Sequence, residues 1–192
     1  TIPVVITINP EPIPTPISGR DKICINEKNI VYGVTAVPGS AFHWTLDPAI
    51  GIKTFDFNTN AIIIDAAAVP GSGNITVYET NSYGCDGDIS TRPVQVYIQA
   101  APENITGPSD ICANSTQTYS VTSRAGSVYS WTIPGGAAIT GDTSAATITI
   151  VFGNVGGLIT AKETNIASCV TNQNPLTVMV RPLPTAIING GG

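Results

Sequence analysis

Histidine occurs once, as His43, methionine once, and only 11% of the 192 residues are charged. A hydrolytic or transfer centre needs a base beside a nucleophile. One histidine, no Gly-x-Ser-x-Gly elbow and no phosphate-binding glycine loop leave little to build an enzyme from. The chain is therefore read as non-catalytic, with no catalytic residue, cofactor or metal assigned. Zinc would require close Cys/His pairs, and none exist. The eight Lys and Arg are scattered singly in a chain of net charge −5. Without a basic patch or an aromatic platform flanked by basic groups, nucleic acid is not an expected partner. No hydrophobic run approaches the length of a membrane span. A capped helical stripe is missing as well: the best candidate, Asp65 to Val69, is stopped by Pro70-Gly71.

What the chain does contain is a repeat. The stretch from Gly73 to Cys85 recurs from Gly157 to Cys169. Seven positions are identical 84 residues apart: Gly73/Gly157, Ile75/Ile159, Thr76/Thr160, Glu79/Glu163, Thr80/Thr164, Asn81/Asn165 and Cys85/Cys169. Unrelated segments do not share that pattern by chance, so the length divides into two similar domains. The stretch alternates as a strand does, with Ile75, Val77 and Glu79 on one face and Thr76, Tyr78 and Thr80 on the other. Parity puts Glu79 and Glu163 on the apolar side. A carboxylate there needs donors, and backbone N–H groups of a nearby loop are the expected ones.

Hydrophobic residues make up 42% of the chain, and Thr, Ser, Asn, Gly and Pro fill the rest of the surface. That mixture predicts short strands and many turns. In the first copy strands are predicted at Ile23–Ile25, Asn29–Thr35, Ala41–Leu46, Ile62–Asp65, the repeated stretch, and Val94–Ile98. In the second they fall at Ile111–Cys112, Thr118–Thr122, Val128–Ile133, Thr147–Phe152, Leu158–Thr164 and Leu176–Val180. Six or seven strands per roughly 87 residues predict an all-β chain of two tandem two-sheet sandwiches.

The cysteines fall two per copy: Cys24 and Cys85, then Cys112 and Cys169. Even number and repeated placement predict disulfides and an oxidising compartment. Three pairings are possible; one bridge inside each copy is the economical choice, contributing roughly 4 kcal/mol by loop closure.

Pro3 to Pro12 matches the last strands of both copies, so residues 1–12 are expected to be the closing strand of a preceding repeat or a linker. Repeat 1 is then 13–101 and repeat 2 is 102–192. Ile188-Asn189-Gly190 resembles the openings Ile17-Ser18-Gly19 and Ile105-Thr106-Gly107, which predicts a piece of a longer array. The alternating prolines of 10–16 predict a semi-rigid extended spacer.

An Ile-Cys, a Tyr-x-Val, an aromatic-x-Trp-Thr, a Glu-Thr-Asn and a final Cys recur in both copies. The residues are Cys24, Tyr32, Val34, Phe42, Trp44, Glu79, Thr80, Asn81 and Cys85, then Cys112, Tyr119, Val121, Tyr129, Trp131, Glu163, Thr164, Asn165 and Cys169. This pattern resembles the PKD-like domains found in tandem in secreted bacterial proteins, especially surface proteins of the Bacteroidetes. The ordinary PKD domain carries Trp-Asp-Phe-Gly-Asp-Gly; here Trp44-Thr45-Leu46-Asp47-Pro48 and Trp131-Thr132-Ile133-Pro134-Gly135 stand instead. The resemblance implies an immunoglobulin-like sandwich serving as a non-catalytic extracellular or cell-surface spacer or adhesion module. Cys24 precedes the strand whose inward positions go to Tyr32 and Val34. A bridge would therefore be peripheral, running from the chain's entry edge to the turn after the repeated strand.

Trp44, Trp131, Tyr32 and Tyr119 are expected in the cores; an exposed tryptophan would instead suit sugar stacking. His43 should face away from Phe42 and Trp44. Asp86-Gly87-Asp88 resembles part of a calcium loop, but two carboxylates are too few for a hard cation. Neighbouring repeats are the expected partners, with polysaccharide or another surface protein as further candidates. The rival reading is a carbohydrate-binding accessory module of a polysaccharide-degrading enzyme.

Overall fold

A computed structural model describes residues 3–4, 6–13, 15–55 and 59–185. Among these there is no helix, and the chain divides into two compact units, Thr1–Ile98 and Gln99–Gly192.

Unit 1 is a two-sheet sandwich. Its strands are β1 (Lys22–Cys24), β2 (Ile30–Gly33), β3 (Ala41–Leu46), β4 (Gly51–Phe55), β5 (Ala61–Ala66), β6 (Gly71–Thr80) and β7 (Ser90–Tyr97). One sheet has the order β1-β7-β6-β3, the other β2-β5-β4. All neighbours are antiparallel except β1 and β7, which run parallel with Cys24 level with Tyr97. The inward parity of each strand carries the apolar residues: Phe42 and Trp44, Ile62 and Ile64, Ile75 and Val77, Val94 and Val96 are all buried. Removing that much aliphatic and aromatic surface from water is what holds the two sheets together.

Unit 2 repeats the plan. Its strands are β8 (Asp110–Cys112), β9 (Thr116–Ser120), β10 (Val128–Thr132), β11 (Ala138–Thr140), β12 (Thr147–Val151), β13 (Gly157–Thr164), β14 (Val170–Asn172) and β15 (Leu176–Arg181). The sheets are β10-β13-β15-β8, with β14 also on β13, and β11-β12-β9. Ile148, Ile150, Phe152, Ile159 and Val178 form the centre of its core. Three strands escape the sequence pattern: β4, β11 and β14. Each is short, and Ile52, Ala138 and Val170 are exposed, so an edge strand's alternation is weak. β14 and β15 line one side of β13, where β7 runs unbroken along β6 in unit 1. Pro175, which has no N–H to give to a ladder, lies in the break between them.

Each sandwich is pinned by the same tyrosine. The Tyr32 hydroxyl donates to the Arg20 carbonyl at 2.8 Å, and Tyr119 to that of Pro108 at 2.9 Å. Both rings are fully buried and lie against a glycine, Gly19 or Gly107. A Cβ on either glycine would fall 2.3 Å from the ring's Cδ1. That contact explains the Ile-x-Gly openings seen in the sequence.

Candidate functional site

The repeated Glu-Thr-Asn-x-x-x-Cys segment closes a loop at one end of each sandwich. Asn81 follows β6, and its Oδ1 accepts from the backbone N–H groups of Tyr83 and Cys85, each at 3.0 Å. Asn165 does the same for Ala167 and Cys169, at 2.9 and 3.0 Å. The backbone N–H of each asparagine donates to the carbonyl of its cysteine. An Asn side chain that mimics a turn in this way fixes the loop and sets where the cysteine stands.

The chain enters each unit beside this loop. In unit 1 Asn81 Nδ2 donates to the Pro10 carbonyl at 2.9 Å, and Gly87 lies against Pro12. In unit 2 Thr171 Oγ1 donates to the Ala100 carbonyl at 2.9 Å, and Gln99 Nε2 to that of Val170. The chain leaves at the other end. Ile25 N–H donates to the Tyr97 carbonyl and Ala113 N–H to that of Arg181, next to Cys24 and Cys112 respectively. Each repeat thus has one cysteine at its entry end and one at its exit end.

This overturns the expected bridges. Cys24 and Cys169 are each disulfide-bonded, whereas Cys85 and Cys112 are free thiols, so neither Cys24–Cys85 nor Cys112–Cys169 forms. The reason is length. Cys24 is level with Tyr97, beyond the Gly71 end of β6, while Cys85 lies past Thr80 at the other end. At about 3.3 Å per residue the two are about 30 Å apart. A disulfide needs α-carbons within about 7 Å. Cys112 and Cys169 are separated in the same way by the length of β13.

Glu79 and Glu163 find their donors among side chains rather than loop N–H groups. Glu79 Oε1 accepts from Ser40 Oγ at 2.6 Å. Glu163, only 2% exposed, accepts from Arg124 Nη1 at 2.6 Å, Ser127 Oγ at 2.8 Å and Gln173 Nε2 at 3.5 Å. Arg124 also reaches Glu103, whose carboxylate takes the hydroxyl and N–H of Thr122. Burial works against the Arg124 charge, but the two glutamates outweigh it and raise its pKa. Gln173, buried and bonded to the Glu103 N–H as well, was not legible beforehand because no counterpart exists in unit 1.

Trp44 is buried and donates Nε1–H to the Thr59 carbonyl; Trp131 is half-buried and donates to that of Ala145, each at 2.9 Å. Neither ring lies open for a sugar. His43 points away from Phe42 and Trp44 and stacks on Tyr78, with ring centroids 4.5 Å apart. Its Nε2 is 3.0 Å from Thr80 Oγ1, which donates to Asp86 Oδ1 at 2.6 Å. Asp86 is thereby used within the protein, and among the described residues no three His, Cys, Asp or Glu side chains form a metal-holding group. An open groove of about 560 Å³ crosses β6 and β7, with Asp21, Asp47, Asn74 and Gln95 in its walls and no aromatic ring.

The sequence matches a PKD-like domain model twice, over residues 10–96 and 98–178. No curated protein matches it. Among solved structures it is similar to the fibronectin(III)-like modules of CbhA from Clostridium thermocellum, at 16% identity and a TM-score of 0.50, covering 91% of this chain and all of that one. Murine CEACAM1b is similar at 12% identity and a TM-score of 0.48, over 88% of this chain and all of that one. At 16% identity the likeness to the CbhA modules speaks to the fold alone. With its two matched segments spanning most of its length, the chain belongs to the PKD-like domain family.

Proposed function

We propose that the chain is a length-setting, non-catalytic segment of a secreted or surface-anchored bacterial protein, built from PKD-like repeats in a longer array. The observation that carries this reading is the placement of entry and exit at opposite ends of each sandwich. A chain that enters at one end and leaves at the other crosses the length of a strand within each unit, about 33 Å for the ten residues of β6. The parallel β1–β7 pair fits the same task. Tension applied at entry and exit slides these strands past one another and loads their hydrogen bonds together rather than one at a time.

Residues 1–12 are read as the closing strand of a preceding repeat or a linker, with the repeats at 13–101 and 102–192. Ile6 and Ile8 are 81% and 89% exposed, whereas the matching Val94 and Val96 of β7 are 2% and 1% exposed. Aliphatic side chains on the inward parity of a sandwich strand belong under a second sheet.

The test is small-angle scattering of the full-length protein and of versions lacking one or two repeats. The expected result is a maximum dimension that shortens by about one strand length per repeat removed, with the flanking domains' own activities unchanged. Loss of those activities on deletion, or retention of the chain on a cellulose or chitin column, would replace the spacer with the carbohydrate-binding reading.

A further inference from the structure

We propose that Cys85 and Cys112 are cross-linking sites, each forming a disulfide with a cysteine of another PKD-like repeat of the parent protein. The inference rests on the array reading above. Three observations lead to it. A bridge within a repeat is out of reach, because its two cysteines lie at opposite ends of one sheet. The counterparts of the free thiols are oxidised: Cys169 stands where Cys85 stands, Cys24 where Cys112 stands, and both are disulfide-bonded. Each free thiol also sits at a chain passage. Cys85 is held by Asn81, whose side chain also bonds the incoming Pro10. Cys112 is level with Arg181, beside the outgoing chain, and is exposed.

The partners follow from these places. Cys85, at an entry end, meets the exit end of the repeat before it, where a cysteine equivalent to Cys24 stands. Cys112, at an exit end, meets the entry end of the repeat after it, where a cysteine equivalent to Cys169 stands. In each bond two Sγ–H groups lose two protons and two electrons as one Sγ–Sγ bond forms. The electrons pass to the disulfide of a thiol–disulfide oxidant, which leaves as its dithiol. Bonds of this kind would tie successive repeats together and limit bending between them.

The experiment is peptide mapping of the full-length parent, purified without reductant, denatured in excess alkylating reagent and digested without reduction. Cys85 is expected joined to a first-position cysteine of another repeat, and Cys112 to a second-position cysteine. If other PKD-like repeats are present and either peptide is recovered as an alkylated thiol, the inference fails and the array reading stands. A parent with no other PKD-like repeat overturns both. The C85S variant is expected to expose one alkylatable cysteine elsewhere in the parent and to leave Cys112 joined; no new thiol in that variant also refutes the proposal.

Discussion

Asn165 and Cys169 are joined twice: the Asn165 side-chain oxygen accepts from the Cys169 N–H, and the Asn165 N–H donates to the Cys169 carbonyl. Asn81 and Cys85 make the same two bonds. The asparagine is thus the loop's organiser, and the cysteine's position depends on it.

Replacing either asparagine by alanine leaves two loop N–H groups without their acceptor. Each is expected to lower stability by about 1–2 kcal/mol. Urea unfolding monitored by tryptophan fluorescence measures it. Because the two loops belong to different units, Asn81→Ala should move the unit 1 transition and Asn165→Ala that of unit 2.

The two glutamates occupy equivalent places with unequal support. Glu163 is buried and has three side-chain donors, among them Arg124, whose side chain is 36% exposed. Glu163→Ala is expected to cost about 2–4 kcal/mol, the partial exposure of Arg124 keeping the loss below that of a fully buried pair. Glu79→Ala removes one hydroxyl partner and should cost about 1 kcal/mol. Thermal unfolding of the two variants reads the difference, and equal losses would contradict the structure.

Alkaline pH tests the buried tyrosine. Burial, partly offset by Arg20 and Arg92, raises the Tyr32 pKa from 10.0 to about 12. The fold therefore prefers the neutral phenol. That stability is fully present below pH 10 and is lost as pH climbs towards 12. Tyr32→Phe should start less stable, having lost the bond to the Arg20 carbonyl, but should decline less steeply over that range. Unfolding midpoints measured at a series of pH values provide the comparison.

Gly19→Ala and Gly107→Ala place a methyl group 2.3 Å from a buried tyrosine ring. Gly19 also has φ +131°, a conformation costly for any side chain. Losses of about 2–3 kcal/mol or more are expected for Gly19→Ala. Near-UV circular dichroism should show the displaced Tyr32 ring. A variant as stable as the parent would mean that the Gly19–Tyr32 contact is not a constraint.

Much of this molecule was legible in one dimension. The repeat follows from residues shared at one constant offset; the β class, the inward Tyr32, Tyr119 and Trp44 and the outward His43 follow from period-two alternation, because one face of each strand must leave water. The edge strands β4, β11 and β14 did not show, since a strand with one partner and an exposed face needs little apolar pattern. The donors to Glu79 and Glu163 did not show either: parity says that a carboxylate is buried, not which hydroxyl or guanidinium will be folded over it.

Alternation and repetition along the chain alone determined that two like sandwiches would form and which side chains would line them. The fate of the cysteines was decided only in three dimensions. Cys24 and Cys85 look like a pair because they belong to one repeat, yet β6 stands between them at its full length. Sequence separation measures the chain joining two thiols, whereas a disulfide answers to the few ångströms between their α-carbons, and that distance exists only once the strands are laid side by side.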